Sequence, residues 1–268
     1  VVVSLNGVTD INSLIVDEAS NATNGLDIVG VKNNAEVTLR GNFQQDTTID
    51  FTNTGATNLV LDSYFQNAGE LEVALDGSVL NLSSISSQNG VLNAIDTGAF
   101  ATDANGKPSN LVELNITGDT NLELLGSDNG SAGMEFRQNS QAKIDASAFE
   151  GDRLDLDLAW HKDVSVLGSA GDDTVSFKAN EENSERFITI DAQLGEGKNT
   201  IVLDAAEAFN VGAAALDVNS TLSAEGGSLA LEVMDSDGTV EDLVDIRGVD
   251  VSNVDSVLFT DATSLVVT

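Results

Sequence analysis

Asp172 and Asp173 close a glycine-rich turn, Gly168-Ser-Ala-Gly171-Asp172-Asp173-Thr-Val-Ser176. Carboxylates are hard oxygen donors, and glycines let a backbone turn tightly enough to aim its carbonyls inward. This is the donor set that calcium takes, and the expected ligands are the Asp172 and Asp173 carboxylates with the Gly168 and Gly171 carbonyls. The pattern is G-x-x-G-x-D-x-apolar-x, with Ser169 where a second glycine would fit and Val175 starting a short strand. Leu194-Gly-Glu-Gly-Lys-Asn199-Thr-Ile201 repeats it in degenerate form, with Asn199 at the Asp position. Asp235-Ser-Asp237-Gly238 is a further acidic turn that lacks the distal Glu of an EF-hand loop. The plainer alternative at each turn is an Asp or Asn that hydrogen-bonds the backbone and holds no metal.

Other chemistry finds little support. His161, beside Trp160, is the only histidine, so a Ser-His-Asp triad would have to use it, and no G-x-S-x-G element accompanies it. One histidine and no cysteine exclude the usual zinc ligand sets. Asp155 and Asp157 share one face of a strand, but with 44 acidic residues such pairs arise without design. Ten Phe, one Tyr and one Trp are few for a sugar cleft. Nothing singles out Arg153 or Arg186 as the base of a polysaccharide lyase, and Gly195-Glu-Gly197 lacks the third glycine of a nucleotide loop. Asn21, Asn81, Asn115, Asn129 and Asn219 stand in N-x-S/T sequons, which an Asn- and Thr-rich chain produces by composition. The expectation is a protein that is not an enzyme.

The 44 acidic residues face 11 basic ones, for a formal net charge of −33 spread along the 268-residue chain. That charge repels nucleic acid and anionic membrane surfaces. It calls for compensation by divalent cations, high salt or both. There is no run of 18 apolar residues, so no membrane insertion is expected. Val1 in place of Met reads as a processed or trimmed chain, in which no basic-plus-apolar signal segment is expected to survive.

The elements that position these turns are short. Alternating runs such as Glu36–Arg40, Thr48–Phe51, Asn58–Asp62, Arg153–Leu158, Thr174–Phe177 and Thr200–Leu203 each end in Gly, Asn, Asp or Ser. The apolar residues are mainly small aliphatics, and proline occurs once, at Pro108. An all-β fold follows, a β-solenoid or an elongated β-sandwich of short strands. Leu92–Phe100 and Ala205–Ala215 carry weak helical patterns. Three parts are expected: an N-terminal strand segment over 1–30, a solenoid-like domain over 31–205, and a β-rich C-terminal unit over 206–268. Val1–Leu5 has no hairpin partner nearby and is either an ordinary first strand or a strand donated to a neighbouring subunit.

Leu111-Val-Glu-Leu-Asn-Ile-Thr-Gly-Asp-Thr-Asn-Leu-Glu-Leu-Leu-Gly126 resembles the L-x-I-T-G rungs of bacterial S-layer proteins exported by type I secretion. Ile144-Asp-Ala-Ser-Ala-Phe-Glu-Gly151 resembles the element that follows them, and the 168–176 turn resembles the calcium-binding nonapeptide of RTX-like β-roll proteins. The likeness covers about a third of the chain. It implies an extracellular, calcium-binding structural protein that self-assembles at the cell surface as a layer or filament, with cell-surface polysaccharide as a further partner. The alternative is a calcium-dependent adhesin module. The resemblance also implies that Leu258–Thr268 is an uncleaved export signal. A full β-roll needs tandem nonapeptides. Asp173 and Asn199, 26 residues apart, read as non-adjacent repeats, so one or two isolated ions are the most expected.

Overall fold

The computed structural model describes residues 1–8, 11–17, 25–32, 35–52, 55–66, 71–87, 92–96, 110–125, 134, 136–137, 140–159, 163–178, 187–204, 214–216, 219–234, 243–260 and 264–266. Twenty-four strands and no helix occur among them. The first twelve are β1 (Val2–Ser4), β2 (Ser13–Asp17), β3 (Leu26–Val31), β4 (Glu36–Phe43), β5 (Thr47–Phe51), β6 (Ala56–Gln66), β7 (Leu71–Leu75), β8 (Val79–Ile85), β9 (Asn93–Asp96), β10 (Glu113–Gly118), β11 (Leu122–Leu125) and β12 (Gln141–Phe149). The rest are β13 (Arg153–Ala159), β14 (Asp163–Leu167), β15 (Asp172–Lys178), β16 (Phe187–Leu194), β17 (Lys198–Asp204), β18 (Ala214–Leu216), β19 (Thr221–Ala224), β20 (Ser228–Met234), β21 (Leu243–Asp245), β22 (Asp250–Val251), β23 (Val254–Thr260) and β24 (Ser264–Val266).

Every pairing is parallel, and strands pair with their counterparts one coil away, never with the strand that follows in the same coil. The chain is therefore a β-solenoid, and the sandwich alternative, which requires antiparallel sheets, does not apply. One column runs β2–β4–β6–β8–β10–β12–β14–β16–β19–β22, and a second runs β9–β11–β13–β15–β17–β20–β23. A third face carries β1–β3–β5–β7, and β18–β21–β24 stack beside the start of β16. The long column crosses residues 30–31 and 205–206 without interruption.

Register gives the coil length. Leu156 pairs with Val175, Leu14 with Val37, Ala192 with Leu222 and Leu80 with Leu114, so coils run from 19 to 34 residues. Corners turn where the backbone takes a left-handed conformation: Gly41 (φ 94°) bends β4, and Ser63 (φ 55°) bends β6 so that its end lies beside β9. Asn93–Asp96, inside one of the weak helical patterns, is strand β9. It lies between the β6 end and β11, which supply hydrogen-bonding edges on both sides, and tertiary pairing overrides the local preference. The other helical pattern ends in strand β18, and the rest of it lies outside the described residues.

The core consists of inward-facing rows, one residue per coil. Ile95, Leu124, Leu156, Val175, Ile201 and Leu231 form one such row, all but sealed from solvent. Each contributes on the order of 1.5–3 kcal/mol by burial. Truncating Leu156 to Ala is expected to cost about 2–5 kcal/mol in urea unfolding, because rows above and below hold the cavity open. Leu125→Ala, at a partly exposed site, is expected to cost less than about 1 kcal/mol.

Candidate functional site: an acidic corner and two open ends

The 168–173 turn is the corner that leads into β15, and it sits between equivalent corners of the neighbouring coils. Ser169 donates its backbone N–H to Asp173 Oδ2 (2.8 Å) and its hydroxyl to Asp173 Oδ1 (2.6 Å). Gly171 N–H donates to Ser169 Oγ (3.0 Å). Asp173 is fully buried. Burial pushes its carboxyl up to about 6; the Ser169 bonds pull the other way, and the Asp172 and Asp155 charges add to the rise.

Asp173 and Asn199 meet across adjacent coils: Asp173 N–H donates to Asn199 Oδ1 (3.1 Å). This corrects the expectation that 26 residues separate non-adjacent repeats, since 26 residues is one coil here. Asn199 Nδ2 donates to the carbonyls of Gly195 (3.0 Å) and Glu196 (3.1 Å). Asp172 Oδ1 accepts Lys198 N–H (2.8 Å). The same device recurs along the stack, where Asn121 Oδ1 accepts Arg153 N–H (3.1 Å) and Asp255 Oδ2 accepts Leu229 N–H (3.2 Å). Corner Asn and Asp side chains thus cap backbone donors of the next coil. The glycines answer to stacking as well. A Cβ on Gly195 would overlap the Ser169 carbonyl, and one on Gly171 would lie 2.5 Å from the Gly151 carbonyl oxygen.

Calcium takes six to eight oxygens. Both Asp173 oxygens accept from Ser169, the Asn199 oxygen accepts Asp173 N–H, and one Asp172 oxygen accepts Lys198 N–H. Among the described residues no cluster of three or more His, Asp or Glu side chains is placed to hold a metal. Ser169, which stands where the pattern favours glycine, supplies two of the donors that Asp173 accepts. Asp235, Asp237, Trp160, His161 and Arg186 lie outside the described residues.

Along the outside of the coils, three of the basic residues each bridge two carboxylates. Arg40 lies between Asp17 (3.9 Å) and Asp62 (2.8 Å), and Lys143 between Glu113 (3.2 Å) and Asp145 (3.7 Å). Arg153 contacts Glu123 (3.1 Å) and pairs with Asp155. Burial alone would raise the Asp62 carboxyl, but the Ser87 and Arg40 hydrogen bonds hold it below the usual carboxylate range.

Among the described residues β1 and β2 each pair on one side only, as do β22, β23 and β24. Val3 continues an interior row of Ile28, Ile49 and Val73, which are buried, yet is itself 37% exposed. Val257 and Phe259 continue the interior rows of Leu231 and Val233 but are 44% and 56% exposed. Eight of the ten exposed large hydrophobics among the described residues lie in the first and last described coils. Within Val1–Leu5, β1 pairs with β3 of its own chain, and Leu5 N–H donates to the Val29 carbonyl (2.8 Å).

No protein-family model, curated protein or solved structure matches this chain.

A carboxyl whose pKa rises on folding, as at Asp173, is protonated more readily in the folded chain. It adds stability as pH falls from above 6 towards 4 and opposes folding at neutral pH. Relative to wild type, Asp173→Asn is therefore expected to gain about 2 kcal/mol between pH 4.5 and pH 7.5 in urea unfolding. A difference that does not vary with pH would show that Asp173 titrates normally.

Proposed function

We propose that the chain is an extracellular structural subunit that self-associates into a surface layer or filament. The observation that carries this reading is the β-solenoid itself, in which the described residues serve stacked coils, interior rows and corner caps. Extracellular placement and cell-surface assembly draw support from the resemblance to type I-secreted S-layer proteins in 111–126, 144–151 and 168–176. No catalytic residue enters the reading.

Electrostatics opposes association, because each subunit brings a net charge of −33 to the next. Dissolved cations screen the repulsion, and calcium, first expected as the ion that orders the acidic turns, enters as one such counter-ion.

Purified protein is expected to form assemblies visible by negative-stain electron microscopy as salt is raised. They are expected to survive chelation of divalent cations at constant ionic strength. Monodisperse monomers at every salt concentration would overturn self-assembly and leave the adhesin reading.

A further inference from the structure

We infer that Glu123 and Asp155, register partners on adjacent coils, hold a single proton between them, so that the β11–β13 contact is a proton-binding site in the middle of the stack. The inference goes beyond the structural-subunit reading and does not depend on it.

Glu123 on β11 pairs with Asp155 on β13, and Ala94 on β9 and Thr174 on β15 continue the row on either side. Leu122, Leu124, Leu154 and Leu156 alternate with the two acids and fill the core, which leaves both carboxylates on the outer face. Neighbouring strands lie about 4.8 Å apart, and like charges directly opposite one another repel. One cation serves both. Arg153 Nη2 lies 3.1 Å from Glu123 and also pairs with Asp155 Oδ2. Two carboxylates against one guanidinium leave one negative charge in excess. Water does little to disperse it, because the side chains of Glu123 and Asp155 are only 16% and 9% exposed.

A second, independent observation lies at Asp155 Oδ1. Among the described residues this oxygen is sealed from solvent and accepts no hydrogen bond. A buried acceptor without a donor costs free energy that one donor would recover. A proton on Glu123 supplies that donor, since a protonated carboxyl carries one O–H and bonds a carboxylate oxygen strongly. The same proton, taken from water, cancels the excess charge and leaves Arg153 facing one carboxylate. Asp157 on β13 and Asp172 and Asp173 on β15 add negative charge around the pair, and Asp96 and Lys178, at the ends of β9 and β15, complete the titratable residues of these strands. Burial raises the Glu123 carboxyl and the Asp155 charge adds to the rise, while Arg153 pulls the other way.

The folded pair holds its proton more tightly than the unfolded chain does. Its contribution is therefore full below the ordinary Glu value and is lost as pH rises through the raised one. Glu123→Gln offers Asp155 an amide N–H that needs no proton, and it keeps Asp155, whose charge also reaches Asp173. Relative to wild type, this variant of the full chain is expected to shift the urea midpoint upward at about pH 7.5 and by much less at about pH 4.5. Carbon-13 NMR of the side-chain carboxyls reads the proton directly. The Glu123 signal, assigned by its absence from Glu123→Gln, is expected to titrate above the ordinary Glu range in wild type and to fall in Asp155→Asn. A Glu123 signal that titrates at or below the ordinary value would overturn the shared proton and leave two ionised carboxylates on Arg153. A midpoint lowered equally at both pH values in Glu123→Gln would overturn it as well, as the mark of an ordinary ion pair.

Discussion

Every backbone donor and acceptor that a parallel strand turns along the stack must be met by the next coil. A hairpin satisfies its partner locally; a parallel strand waits for the chain to travel around and return. That one constraint accounts for most of this molecule. It forces Leu80 to align with Leu114 and Ala192 with Leu222, and so builds the interior rows. It also means that order propagates from coil to coil.

The corners serve this constraint. Between β14 and β15 the chain must reverse within a few residues while passing close to the coils on either side. Glycine at 171 and 195 provides the clearance, and Asp172, Asp173 and Asn199 satisfy donors that the turns expose. Ser169 gives Asp173 two hydrogen bonds, which offset part of the cost of burying its carboxyl. On the outer surface Arg40, Lys143 and Arg153 stand between acidic residues of neighbouring strands, which relieves repulsion where carboxylates would otherwise stack.

Much of the fold could be read directly from the sequence. Short alternating runs, small aliphatic cores and Asn- or Asp-rich turns gave an all-β chain of solenoid type, and the strands at Thr174–Phe177 and Thr200–Leu203 fall within β15 and β17. The period was hidden because coils vary between 19 and 34 residues, so no fixed spacing repeats. For that reason Asp173 and Asn199 looked unrelated although they touch. The open ends were also illegible: Phe259 and Val233 look alike in sequence, and only pairing shows that one is covered and the other is not. The glycine-rich turn was recognisable, but its chemistry depended on where the Ser169 hydroxyl points, which spacing does not encode.

The central claim is that parallel stacking, coil on coil, holds the molecule together. Amide hydrogen exchange tests it most directly. The slowest exchange is expected at β13, β15 and β17, which are paired on both sides. Exchange at β13 and β15 as fast as at the exposed turns between strands would contradict the account.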